Sequence, residues 1–195
     1  MNTASVFCVS PSPECTRNLG QAVAALCRAG DVIMLSGDLG AGKTTFTQGL
    51  GQGLNVCGGV SSPTFIVSRV HPPRIQGGTA LIHTDAYRIG DLDDVETLDL
   101  DSQLDQAVTV IEWGEGKTES LSADRLEVFI SKEEDDAPLI FDDGTVDLEN
   151  ADNGRRYYEF RPASKRWSID DLRSAIIAAN GVELCDGYST TDPKV

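Results

Sequence analysis

Val32-Ile33-Met34-Leu35-Ser36-Gly37-Asp38-Leu39-Gly40-Ala41-Gly42-Lys43-Thr44-Thr45 sets an apolar run directly ahead of a loop matching G-x-x-x-x-G-K-[ST] without a mismatch. The apolar run reads as a buried parallel strand, and a helix is expected from Lys43 to about Gly53. Strand, glycine loop and helix, in that order, let a backbone wrap an anion. Glycines permit the tight nest in which successive N–H groups point inward, and the helix adds its positive N-terminal end. Lys43 supplies a flexible charge for the β and γ phosphates, and the Thr44 hydroxyl can ligate Mg²⁺. Gly37, Asp38, Leu39, Gly40, Ala41 and Gly42 form the loop, with Asp38 and Leu39 contributing backbone alone. By composition, about 1% of chains this long carry the pattern by accident. Here it also lies between a strand and a helix, so it reads as a nucleotide site.

Working outward, a P-loop needs a carboxylate at the end of a neighbouring strand to complete its metal site. Two acids follow apolar runs: Asp85, after Ala80-Leu81-Ile82-His83-Thr84, and Glu112, after Val108-Thr109-Val110-Ile111. Residue type does not choose between them, because a Glu reaches the same metal through one more methylene. The chain has no N-K-x-D, the pattern that reads guanine in common GTPases. A small-molecule phosphotransferase would bring several arginines from a lid, and residues 91–150 hold only Lys117, Arg125 and Lys132. That enzyme class and a nucleotide-gated interaction module with negligible turnover remain the alternatives to an ATPase.

The flanking elements suit an α/β fold with a mixed sheet. Ser12 as N-cap, Pro13 in the first turn and Gly30 at the end bracket a first helix carrying Leu19, Val23, Leu26 and Cys27. Leu92, Val95 and Leu98 have helical spacing within 91–100. Leu126, Val128 and Ile130 alternate with polar residues, as Tyr157 to Phe160 do less cleanly, which predicts antiparallel strands. A last helix starts at Ser168, with Ile169, Leu172 and Ile176 on one face. The stretch after Gly181 has no period and is expected to be loose. The domain division is therefore 1–167 for the nucleotide domain and 168–195 for a C-terminal helix and flexible tail.

The chain has 195 residues and a net charge of −15, from 16 basic and 31 acidic side chains. Residues 91–105 hold seven of the acids and 133–152 hold nine, with no Lys or Arg in either stretch. Affinity for a phosphate backbone comes from clustered cations, so strong direct nucleic-acid binding is not expected. The acidic runs read as solvated surface, the second as a loop insertion, or as a docking face for a basic partner. Five cysteines, an odd number without a C-x-x-C pair, argue against a disulfide framework or a zinc knuckle. No apolar run is long enough to span a membrane and no basic-then-apolar leader opens the chain, so a cytoplasmic protein is expected.

Four blocks in order carry a resemblance: Gly37 to Thr45, Ser62-Pro63-Thr64-Phe65, His83-Thr84-Asp85-Ala86-Tyr87-Arg88, and Ile111-Glu112-Trp113. Over roughly residues 12–161 the chain resembles the TsaE family of bacterial tRNA threonylcarbamoyladenosine synthesis. The resemblance implies a P-loop NTPase-like three-layer fold with a mixed, partly parallel sheet. It also implies a weak Mg²⁺-dependent ATPase that works with TsaB and TsaD and meets tRNA only through that complex. Lys43, Asp85 and Glu112 would be the catalytic residues and Thr44 with Glu112 the metal ligands. Asp85 would orient or activate the attacking water. Thr45, Pro13, Trp113, Gly154 and Arg155 would contact ATP, with Pro13 near the adenine and 62–65 as a switch-like segment. Alternatively, Arg155, Arg156, Arg161, Lys165 and Arg166 would form a basic surface. The sequence departs from the family in having Ala86 before Tyr87, a longer acidic stretch at 133–152, and an extension beyond 168.

Overall fold

The computed structural model describes residues 4–63, 68–86, 105–113, 122–132, 139–140, 146–147 and 153–187. Strand β2 (Val32–Ser36) lies at the centre of an eight-stranded sheet and is buried along its whole length. It pairs in parallel with β5 (Ala107–Glu112) and β6 (Leu126–Lys132). Beyond β5 come β4 (Ala80–Asp85), parallel to it, and the edge strand β3 (Ser68–His71), antiparallel to β4. Beyond β6 come β9 (Arg156–Pro162), β1 (Val6–Ser10) and β10 (Glu183–Cys185), each antiparallel to its neighbour. The sheet is thus mixed and partly parallel, as the sequence suggests. Strands β7 (Leu139–Ile140) and β8 (Val146–Asp147) pair with each other inside the segment read as an acidic loop.

Alternation along β2 explains the layers. Ile33 and Leu35 face a core built with Leu19 and Val23 of α1 (Pro13–Ala24), Phe46 and Leu50 of α2 (Lys43–Gly53), and Leu172 and Ile176 of α3 (Ile169–Ala178). Val32 and Met34 point to the other face and join Ile82, Ala107 and Ile111 in a second buried cluster. Helices α1 and α2 meet at backbone distance through glycines. A Cβ on Gly49 would stand 2.2 Å from the Arg17 carbonyl oxygen, and one on Gly20 would stand 2.3 Å from that of Phe46. Larger residues there would push apart the helix that carries Lys43 and the helix that carries Pro13.

Three details differ from expectation. Helix α1 ends at Ala24 and not near Gly30, because Ala25, Leu26 and Cys27 tighten into i−3 bonds to the carbonyls of Ala22, Val23 and Ala24. The stretch after Gly181 is not loose throughout: Glu183–Cys185 pairs with Phe7 to Val9 and extends the sheet. Strands β1 and β3 have no counterpart in the sequence expectations: β3 is four residues long and half exposed, without a strong apolar period, whereas β1 is a mostly buried apolar run, Val6 to Val9, as short as that of β2 but with no glycine loop after it to mark it. The helical spacing at 91–100 lies outside the described residues. Among the described residues, no helix is long and apolar enough to cross a membrane.

Candidate nucleotide site

The loop between β2 and α2 has the backbone that its glycines predict. Gly37, Gly40 and Gly42 all have positive φ, at 146°, 74° and 102°. A side chain on Gly37 would meet the Ile130 carbonyl oxygen at 2.2 Å, so β6 itself demands glycine there. Asp38, Leu39 and Gly40 form the exposed crown, with the Leu39 side chain 87% exposed. Gly42 is the N-cap of α2 and has no side chain to cap it, so the first N–H groups at Lys43, Thr44 and Thr45 stay open toward the loop.

Lys43 is buried in the first turn of α2. Its Nζ donates to the carbonyl oxygens of Gly37 at 2.6 Å and Asp38 at 2.9 Å, and sits 3.7 Å from the Trp113 ring centroid. Burial holds its pKa below the ordinary lysine value, while the carboxylates of Glu112, Asp85 and Asp38 pull it back up. Trp113 follows β5 with a left-handed φ of 61°, and its N–H is held by the Leu35 carbonyl at 3.1 Å. That conformation is costly for an aromatic residue. Here it turns the indole over the lysine.

The two candidate carboxylates stand side by side, because Asp85 and Glu112 are register partners at the ends of β4 and β5. Both are buried, at 7% and 3% exposure. They differ in their partners: Glu112 Oε1 accepts from Thr44 Oγ1 at 3.0 Å and faces His83 Nε2 at 2.8 Å. Two adjacent oxygens on an octahedral Mg²⁺ lie about 3.0 Å apart, given ligand distances of about 2.1 Å. A hydroxyl and a carboxylate at that separation therefore fit the ion, and both are the hard oxygen donors it prefers.

The outer rim comes from distant parts of the chain. Gly154, with φ 75°, lies against α1 so closely that a Cβ there would be 3.3 Å from Pro13 Cδ. Arg155 is exposed beside it, with its guanidinium 5.6 Å from the Tyr157 ring. Pro13, Gly154 and Arg155 thus form one patch, while the loop, Asp85, Glu112 and Trp113 form the inner site. Thr64, Phe65, Tyr87 and Arg88, at the ends of two resemblance blocks, lie outside the described residues.

The site also contains residues that the sequence does not place there. Arg156 is not part of a basic surface. It is buried and donates to the carbonyls of Ala41 at 3.0 Å and Gly40 at 3.2 Å, bracing the loop from β9. Lys132, its register partner on β6, brings its ammonium within 3.2 Å of where a Gly40 side chain would start. Arg166 is likewise committed, to Asp31, and Arg161 to Glu159. His83 was visible only as the start of the block containing Asp85; its position two residues before an acid on one strand face was the available signal.

The chain resembles known proteins in sequence and in fold. The family profile described as Threonylcarbamoyl adenosine biosynthesis protein TsaE matches residues 10–139. The tRNA threonylcarbamoyladenosine biosynthesis protein TsaE of Streptomyces coelicolor is 57% identical over 117 residues, covering 60% of this chain and 78% of that one. Its Bacillus subtilis namesake is 40% identical over 126 residues, covering 64% and 77%. The crystal structure of Bacillus subtilis YdiB superposes with a TM-score of 0.66 at 27% identity, over 89% of this chain and 97% of that one. A profile match that takes in the P-loop, both carboxylates and Trp113 leaves one conclusion: the chain belongs to the TsaE family of tRNA threonylcarbamoyladenosine biosynthesis.

Proposed function

We propose that the protein is a Mg²⁺-dependent ATPase, slow alone and stimulated by TsaB and TsaD, that supports threonylcarbamoyladenosine formation on tRNA. The observation that carries this reading is the Lys43–Thr44–Glu112 cluster at the open N-terminus of α2. The loop N–H groups and Lys43 would bind the β and γ phosphates. Thr44 and Glu112 would hold Mg²⁺, whose bound charge neutralises that developing on the phosphate oxygens. Asp85, beside Glu112, would orient the water that attacks the γ-phosphorus as its bond to the β–γ bridging oxygen breaks. The proton leaves the water for Asp85 or solvent. Trp113 would wall the site on the Lys43 side, and Pro13, Gly154 and Arg155 would receive the nucleoside end.

Phosphate release from ATP with Mg²⁺, measured alone and with TsaB and TsaD, tests this, with Lys43→Ala as the blank. Strong stimulation by the pair, lost in the blank, is expected. Equal rates with and without partners would overturn the partnership. Equal rates in the blank, or label appearing on an acceptor other than water, would overturn the hydrolase.

A further inference from the structure

His83 stands in the middle of β4 with no exposure at all, and the ATPase reading assigns it nothing. A buried imidazole has two nitrogens to satisfy. Nε2 faces Glu112 Oε1 at 2.8 Å, while Nδ1 has no partner among the described residues. An aliphatic side chain would fill the same space without that orphaned nitrogen, so packing does not account for a histidine here. Because a carboxylate only accepts, the bond fixes the tautomer with hydrogen on Nε2.

The surroundings explain why Glu112 needs a fixed donor. Its carboxylate has two competing attractions: the Thr44 hydroxyl, and the buried Lys43 ammonium, which feels Glu112 more than Asp85 or Asp38. Turning toward Lys43 would carry the carboxylate away from Thr44 and so remove a metal ligand. His83 comes from the adjacent parallel strand, where it is register partner to Val110, two residues before Glu112 on the same face. From there Nε2–H and the Thr44 hydroxyl meet one oxygen, Oε1, and set the plane of the carboxylate.

The geometry points to His83 as a positioning residue that holds Glu112 in the orientation required of a metal ligand. This rests on the Mg²⁺ site proposed above. Hydrogen-bond partners of metal ligands have a characteristic signature: their loss weakens the metal more than it weakens the fold.

The test is Mn²⁺ binding to the full chain loaded with ADP, followed by electron paramagnetic resonance, beside ADP binding in EDTA. His83→Leu should weaken Mn²⁺ about 10- to 100-fold and leave metal-free ADP affinity unchanged. His83→Gln, whose amide nitrogen reaches the place of Nε2, should recover most of that loss, and His83→Asn, which is too short, should not. If His83→Leu fails to fold, the Gln and Asn pair makes the same comparison. Equal Mn²⁺ affinity in the variants and wild type would overturn the proposal. So would parallel losses of Mn²⁺ and metal-free ADP binding. Glu112→Ala separates the two readings: if it leaves Mn²⁺ affinity intact, the metal site itself is wrong. If it abolishes binding while both His83→Leu and His83→Asn keep the wild-type Mn²⁺ affinity, only the positioning role falls.

Discussion

Helices α1 and α3 close their own N-termini, whereas α2 leaves its N-terminus open. Ser12 accepts the Cys15 N–H at 3.2 Å, and Ser168 accepts that of Asp171 at 3.3 Å, each in extended backbone. α2 begins instead from Gly42 in the left-handed region, with no side-chain cap, a buried ammonium beside its first turn and no acid within it. The first two ends are optimised for stability. The third keeps free donors and a desolvated cation, both unfavourable until an anion arrives. The difference separates helix ends closed by a side-chain cap from the one left open toward the glycine loop.

The largest effect should come from removing the cation at the open end. Lys43→Met should lower partner-stimulated phosphate release about 100- to 1,000-fold, the usual consequence of losing one charge-stabilising donor. A phosphate-release assay against a folded control by circular dichroism checks it. Next is the brace on the same loop. Arg156→Met removes charged bonds to the Gly40 and Ala41 carbonyls and should destabilise the fold by about 2–3 kcal/mol. It should also weaken ADP binding, which denaturant melts and calorimetry would show together.

A closed end should behave in the opposite way. Ser168→Ala should destabilise by about 1 kcal/mol. That lowers Tm by about 2–4 °C for a chain this size. ADP affinity should not change; if it did, the two kinds of helix end would not be separable. The smallest effect concerns pH. Since burial lowers the Lys43 pKa, the unfolded chain binds more protons between that lowered value and the ordinary lysine pKa, and stability rises with pH across this window. Lys43→Met, which removes the buried charge, should therefore be the more stable protein near neutrality. Its advantage should shrink as pH rises through the window, as paired thermal melts would reveal.

How far the sequence could be read follows from which interactions are local. Ser12 and Ser168 were legible as caps because a cap needs only three residues. Strands β2, β4, β5 and β6 were legible because burial on one or both faces leaves a continuous or alternating apolar pattern. β10 was not, since a three-residue edge strand next to β1 takes its conformation from pairing and not from its own pattern. The apparent basic patch failed for a related reason. Charge along a chain does not say which guanidiniums fold inward, and here Arg156 goes to the P-loop and Arg166 to Asp31.

By itself the sequence determined the phosphate loop, the helix behind it and the two acids at strand ends, because a glycine nest and its lysine are specified within eight consecutive residues. Only the tertiary structure set the two acids side by side and gave Glu112 the Thr44 hydroxyl as a partner. β4 and β5 had to be set in parallel register for Asp85 to fall beside Glu112, and β5 had to lie next to β2 for Glu112 to reach Thr44. The β4–β5 pairing also brought His83 to Glu112, and the pairing of β9 with β6 and of β6 with β2 brought Arg156 to the loop. Those contacts span 29 to 115 residues of chain, and their geometry depends on sheet order, which no local pattern encodes.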